Sequence, residues 1–148
     1  MPIVGETAPE FDSEIHSGGR LSLAQLKGAP VVLYFYPEAD TPGCTVESKG
    51  FRDAYPDFKK EKVEIVGVSV DSVKAQCDFA EKYSLPFPLV ADHTKAVSKL
   101  YGVLGPGGRA RRVSFFIGAD QKIIDVVQSR DAKDHVAKAR QAFLKGKA

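Results

Sequence analysis

The sequence predicts an α/β sandwich, a mixed central sheet flanked by helices with a short β-hairpin ahead of it. Three observations point there. Two runs, Val31 to Tyr36 and Val63 to Val70, are largely apolar and rich in β-branched and aromatic residues, the pattern of strands buried on both faces. Amphipathic stretches with helix-start residues separate the apolar runs, giving the order βαβαβαββα. The first of these strands enters the next helix through Pro37-Glu38-Ala39-Asp40-Thr41-Pro42-Gly43-Cys44, a strand-to-helix turn of the kind where open α/β sheets place their sites.

In chain order, residues 3–30 carry Phe11, Ile15, Leu21, Leu23 and Leu26 around Ser17-Gly18-Gly19, which predicts a hairpin about a glycine turn. One helical turn over Ser22 to Leu26 ends at Gly28-Ala29-Pro30. After the first core strand, Thr41 is positioned to N-cap a helix with Pro42 at its first residue, and Pro56 is expected to kink or end that helix. The second strand follows. Asp71 or Ser72 then caps a helix over 72–83, with Val73, Cys77, Ala80 and Tyr83 as its apolar positions. Pro86 and Pro88 mark a loop, Leu89-Val90-Ala91 a short strand, and Asp92 the cap of a helix carrying Ala96, Val97, Leu100 and Tyr101, with Gly102 as terminator. Gly105-Pro106-Gly107-Gly108 is a turn before the strand Arg111 to Ile117. Asp120-Gln121 turns into the strand Lys122 to Val127. A last helix begins near Asp131, with Ala132, Val136, Ala139 and Phe143 as one apolar stripe.

The totals bound the function. With 148 residues, one domain over 1–148 is expected. The 21 basic and 19 acidic residues are well mixed and leave a formal charge of +2, which gives no basis for binding nucleic acid or an anionic membrane surface. No apolar run approaches the ~20 residues of a membrane helix, and Met1 to Glu6 lacks the pattern of a signal peptide. Two cysteines are too few for a disulfide scaffold, so a reducing, cytoplasmic setting is expected. His16, His93 and His135 are scattered, with no metal-ligand spacing, and the glycine turn at 105–108 does not follow a strand as a dinucleotide or phosphate loop would. Neither a metal nor another cofactor is expected.

Cys44 is the candidate for chemistry. On the register above it is the third residue of its helix, where amides lack helical partners and the dipole is positive, a setting that favours a thiolate. The plain reading, a buried inert thiol, fits less well beside Thr41, Pro42 and Gly43. An arginine facing the sulfur would stabilise the anion and offer donors to a bound oxyanion. Arg109, Arg111 and Arg112 compete for that place. Glu47 either favours the helix dipole or orients such an arginine. Cys77, 33 residues on, is either part of a buried helix face or a second redox thiol; direct closure with Cys44 requires Cα atoms within ~4.4–6.8 Å. With no Cys-x-x-Cys and no imidazole placed for Cys44, a plain disulfide reductase and a papain-like hydrolase are both disfavoured.

Pro37-x-x-x-Thr41-x-x-Cys44, continued through Thr45, Glu47 and Phe51-Arg52-Asp53, resembles the active-site motif of the peroxiredoxins, and within them the bacterioferritin comigratory protein or Q-type group. Val4 to Phe11, Pro30 to Pro37 and Arg112 to Ile117 extend the resemblance over nearly the whole chain. It implies a thioredoxin fold of AhpC/TSA type and a thiol peroxidase acting on hydrogen peroxide and organic hydroperoxides. Cys44 is then the peroxidatic thiol, attacking the O–O bond to give a sulfenic acid. Thr41 and the Cys44 amide hold the peroxide oxygens, Arg112 polarises them, Pro37 shields the sulfur, Glu47 positions Arg112, and Gly43 supports the turn. Many members carry a resolving cysteine five residues after the first; here that position is Lys49. Others place it on the helix where Cys77 lies, which implies an intramolecular Cys44–Cys77 disulfide recycled by thioredoxin. A one-cysteine cycle resolved by an external thiol is the alternative. A redox sensor without turnover and a structural or chaperone role are competing functions from other classes. A monomer or weak homodimer is expected.

Overall fold

The computed structural model of the chain describes residues 1–144; the last four positions of the expected 1–148 domain lie outside them. Two short strands, β1 (Asp12–Glu14) and β2 (Arg20–Ser22), form an antiparallel hairpin, followed by a 3₁₀ turn over Leu23–Leu26. The main sheet contains β3 (Val31–Phe35), β4 (Glu64–Ser69), β5 (Leu89–Ala91), β6 (Val113–Ile117) and β7 (Ile123–Gln128) in the order β5-β4-β3-β6-β7. β5, β4 and β3 run parallel; β6 and β7 join antiparallel. Helices α1 (Pro42–Lys60), α2 (Val73–Tyr83), α3 (Ala96–Leu100) and α4 (Ala132–Phe143) complete the expected order.

β3 is central, and its alternation divides the core in two. Val32, Tyr34 and Tyr36 pack on one side against Phe51, Ala54 and Phe58 of α1, Phe79 and Ala80 of α2, and Ala139 of α4. Val31, Leu33 and Phe35 face the other side, with Leu23, Val97, Tyr101 and Phe115. A strand covered on both faces has no polar position to spare, which is why its sequence shows no polar alternation. Gly50 lets α1 and α4 approach closely, since a methyl there would lie 2.9 Å from Val136 Cγ2.

Four expectations change in detail. Pro56 does not end α1, which runs on to Lys60, because buried Ala54 and Phe58 anchor the helix on both sides of it while the proline itself is exposed. Thr41 occupies the N-cap position with extended backbone (φ −96°, ψ 156°), but its hydroxyl donates to Glu38 O at 2.8 Å instead of capping an amide. The buried face of α2 is Gln76, Phe79 and Ala80, turned away from Cys77. It turns that way because Tyr36 Oη donates to Gln76 Oε1 at 2.6 Å and Gln76 Nε2 donates to Val90 O at 2.9 Å. The buried residues of α4 are Ala132, His135 and Ala139, with Val136 and Phe143 at the margin. Asp92 does cap α3, at a distance: its carboxylate accepts from the amides of Val97 and Ser98.

Candidate active site

The turn from β3 into α1 puts Cys44 at the third residue of α1, fully buried against the core beneath Tyr34 and Tyr36. Thr45 N bonds to Thr41 O at 2.8 Å, closing the first helical turn. The amides of Gly43 and Cys44 have no acceptor among the described residues, and the Thr41 hydroxyl, having donated to Glu38, keeps both lone pairs. Two free N–H groups at a helix N-terminus beside a sulfur form a ready anion site.

Arg112, just before β6, reaches across to this turn. Its Nη2 lies 3.4 Å from Cys44 Sγ and its Nη1 donates to Glu47 Oε1 at 2.7 Å. The pairing of β3 with β6, Phe35 opposite Val113, brings the two segments together. Gly43 makes the approach possible: a methyl on it would stand 2.8 Å from Arg112 Nη2. Of the competing arginines, Arg109 pairs with Glu38 at 3.4 Å and Arg111 is exposed. Pro37, Pro106, Arg111, Arg112, Gln128 and Arg130 line an open cavity of about 560 Å³ on the outer side of the Arg112 guanidinium.

Glu47 is fully buried, one turn into α1. Burial pushes its carboxyl up to about 8, against the pull of the Arg112 charge. Its second oxygen lies 3.6 Å from Nδ1 of His135, itself fully buried on α4. Ser114 Oγ of β6 is 2.7 Å from the same nitrogen. Sequence reasoning passed over His135 and Ser114. The usable signal was spacing, since His135 falls between Ala132 and Ala139 in the stripe that α4 buries.

Cys77 is set apart from this group. It is half-buried on the outer side of α2, a free thiol like Cys44, with Sγ donating to Glu81 Oε1 at 3.8 Å. Partial burial and the neighbouring Glu81 and Asp78 carboxylates push this thiol up. Asp40, in the loop before Cys44, has φ +60° and accepts from Tyr83 Oη at 2.7 Å and Lys82 Nζ at 2.8 Å. Asp71 accepts from Ala39 N at 2.8 Å. The helix carrying Cys77 is thus tied at both ends to the loop that carries Cys44.

A four-helix, mixed-sheet thioredoxin fold with a cysteine at the helix that follows its central strand defines a class, the thiol-dependent oxidoreductases. The AhpC/TSA family model matches residues 4–126. A Coxiella burnetii protein named as a bcp peroxiredoxin is 42% identical over 141 residues, covering 90% of this chain and 93% of that protein. The crystal structure of peroxidoxin BcpB from Mycobacterium tuberculosis superposes with a TM-score of 0.89 at 35% identity, over 98% of this chain and 97% of that one. A bacterioferritin comigratory protein from Xanthomonas campestris, whose structure addresses its alkyl peroxide reduction, gives 0.85 at 28% identity over 90% of each chain. The chain spans about half the length of the plant chloroplast peroxiredoxin Q sequences it also matches, 53% for Sedum lineare and 46% for Populus jackii. It belongs to the AhpC/TSA family and is a thiol peroxidase of the bacterioferritin comigratory, or peroxiredoxin Q, group.

Proposed function

We propose that this chain reduces hydrogen peroxide and organic hydroperoxides at Cys44. The observation that carries this reading is the Arg112 guanidinium, 3.4 Å from Cys44 Sγ and braced by a buried Glu47. The thiolate attacks one peroxide oxygen and the O–O bond breaks. Sulfur is oxidised by two electrons to Cys44–SOH, and the departing alkoxide or hydroxide takes a proton to leave as alcohol or water. Negative charge is spread over sulfur and leaving oxygen at the transition state, so donors fixed in advance matter most. Arg112 Nη2 and the free amides of Gly43 and Cys44 are those donors. The Thr41 hydroxyl, with its proton committed to Glu38 O, accepts the hydrogen of the incoming hydroperoxide. Pro37 walls the cavity beside Arg112 and limits water.

Regeneration is proposed through Cys77, whose thiolate attacks the sulfenic sulfur, forms Cys44–Cys77 and expels hydroxide, which takes up a proton from solvent to leave as water; a thioredoxin-type dithiol then reduces the bridge. Because Cys44 is buried and Cys77 lies on the outer side of α2, closure needs local unfolding of the first turn of α1 or of α2. A monomer or weak homodimer in the cytoplasm is the proposed setting, and the 1–148 chain is proposed to act as one domain. The enzyme reading is tested by turnover of peroxide with a thioredoxin system. Wild type should turn over and Cys44→Ser should not; absence of wild-type turnover sinks it. For regeneration, non-reducing mass spectrometry after one equivalent of peroxide should find an intramolecular bridge. A persistent sulfenic acid, or bridges only between chains, would refute the intramolecular bridge.

A further inference from the structure

We propose that His135 is a positioning residue of the peroxide site: its ring and the Glu47 carboxyl together hold a single buried proton, and that proton decides how much of the Arg112 charge is left for the Cys44 sulfur. The inference rests on the reading of Cys44 and Arg112 above and extends it behind the arginine.

The geometry fixes the tautomer. His135 Nε2 lies 2.8 Å from the carbonyl of Ser129, which can only accept, so Nε2 carries a hydrogen. In the neutral ring Nδ1 is then a lone pair, filled by the Ser114 hydroxyl at 2.7 Å. The same nitrogen faces Glu47 Oε2 at 3.6 Å. That oxygen is fully buried and has no hydrogen-bond partner among the described residues, whereas Oε1 is held by Arg112 Nη1. With no proton on either group, Glu47 Oε2 would be a carboxylate oxygen without a donor, beside a ring nitrogen that has no hydrogen to offer it, in a space closed to water, an arrangement that burial penalises heavily. One proton resolves it. Two would make a second cation next to Arg112.

The surroundings place that proton. Facing the pair are Cys44 on α1, Tyr34 on β3 through its bond to Ser48, Arg112 before β6, and Asp131 and Asp134 at the start of α4. Burial holds Tyr34 well above its ordinary range, so it stays neutral. Burial pushes His135 down, opposed by the Ser129 carbonyl and helped by Arg112, while it pushes Glu47 up to about 8. In the neutral range the proton therefore sits on Glu47. Arg112 then has one anionic partner, the sulfur. Above that range Glu47 becomes a second anion, and the guanidinium is divided between carboxylate and thiolate.

The coupling must run both ways: a thiolate at Cys44 occupies Arg112 and strengthens the hold of the pair on its proton. Imidazole ¹⁵N shifts of His135, assigned by their absence in His135→Asn, test this without any turnover. In the reduced protein Nδ1 should titrate between pH ~7 and ~9 as Glu47 loses its proton, and in Cys44→Ser the midpoint should fall by about half a unit or more, a threefold change in proton affinity. Single-turnover oxidation of Cys44 should show a rate that declines above pH ~8. Asparagine at 135 presents an amide donor to Glu47, so His135→Asn should move that decline to lower pH; His135→Gln, which preserves the bond to Ser129, guards against a simple folding defect. An Nδ1 shift flat across this range, or a midpoint indifferent to Cys44→Ser, overturns the inference even if the enzyme turns over. Pair coupling in a protein that does not reduce peroxide would leave the inference standing and sink the peroxidase reading.

Discussion

Replacing Arg112 by lysine tests the site at its centre. The guanidinium makes two bonds from one rigid fork, 2.7 Å to Glu47 Oε1 and 3.4 Å to Cys44 Sγ. A lysine ammonium is a point charge and cannot span both. Glu47 Oε1 is the nearer acceptor, so an ammonium that keeps that bond leaves the sulfur without its donor. Loss of one preorganised donor at a developing anion costs ~2.7–4 kcal/mol, or ~10²–10³ in rate. Stability should change far less, since Glu47 holds a proton in the neutral range and leaves no buried charge unpaired. The chain has no tryptophan, so rapid quench with thiol alkylation and intact-mass detection of the added oxygen is the assay, with urea unfolding as the control. An Arg112→Lys protein that oxidises within threefold of wild type would show that the contact at 3.4 Å does not activate the sulfur.

Three other perturbations separate chemistry from stability. Gly43→Ala should slow oxidation at least tenfold by pushing Arg112 Nη2, 2.8 Å from the new methyl, while leaving the fold as stable or ~0.5–1 kcal/mol more so from helix propensity; unchanged rate refutes the close approach. Stability should fall from about pH 5 to about pH 8 and level off above: the folded-state value of Glu47 is raised from 4.5 to about 8, so its contribution is fully present below the unfolded value and is lost progressively as pH rises to the folded one. His135, held low, acts in the opposite sense and only below its unfolded value of 6.5, which leaves the range from 6.5 to about 8 to Glu47 alone. Urea-unfolding free energies of wild type and Glu47→Gln should draw apart across that range by ~2 kcal/mol, and parallel curves would remove Glu47 as the cause. Finally, Glu81→Gln removes the carboxylate 3.8 Å from Cys77 Sγ and should speed disulfide formation severalfold at pH 7, read by quenched alkylation; a slower variant would assign Glu81 a different part.

What was legible in the sequence was whatever depends on local order. The strand β3, the helix start at Pro42 and the third-residue position of Cys44 follow from hydrophobic run and cap chemistry alone, and the comparisons agree on fold and family. The errors arose where tertiary contact overrules a local rule. Pro56 breaks helices in isolation, yet burying Phe58 beyond it is worth ~1.5–3 kcal/mol, which offsets much of that cost, and α1 runs on to Lys60. Cys77 looked eligible for a buried face from its spacing to Val73 and Ala80; two hydrogen bonds, to Tyr36 and to Val90, made the Gln76 amide the buried partner. The arginine choice could not come from spacing, since Arg109, Arg111 and Arg112 differ only in where β6 starts. His135 was invisible as chemistry because its partners, Glu47, Ser114 and Ser129, come from three separate segments.

The distribution of strength in the fold bears on how such a site could both hold still and open. The donors around Cys44 hang on buried parts: Glu47 on α1, Ser114 and the start of β6, and His135 on α4, all without solvent. The loop from Pro37 to Thr41 is held differently, by exposed ties to α2 from Asp40 to Tyr83 and Lys82 and by Asp71 to Ala39. Asp40 also sits at φ +60°, a conformation that costs a non-glycine residue ~1 kcal/mol or more and persists only while neighbours enforce it. Exposed ties of this kind are screened by solvent and individually weak, so releasing them costs little, and that cost is partly offset by the relaxation of Asp40. Opening the buried side would cost far more. Any closure of Cys44 onto Cys77 would therefore run through the loop and α2, leaving Arg112, Glu47 and His135 in place to receive the thiolate when the bridge is reduced.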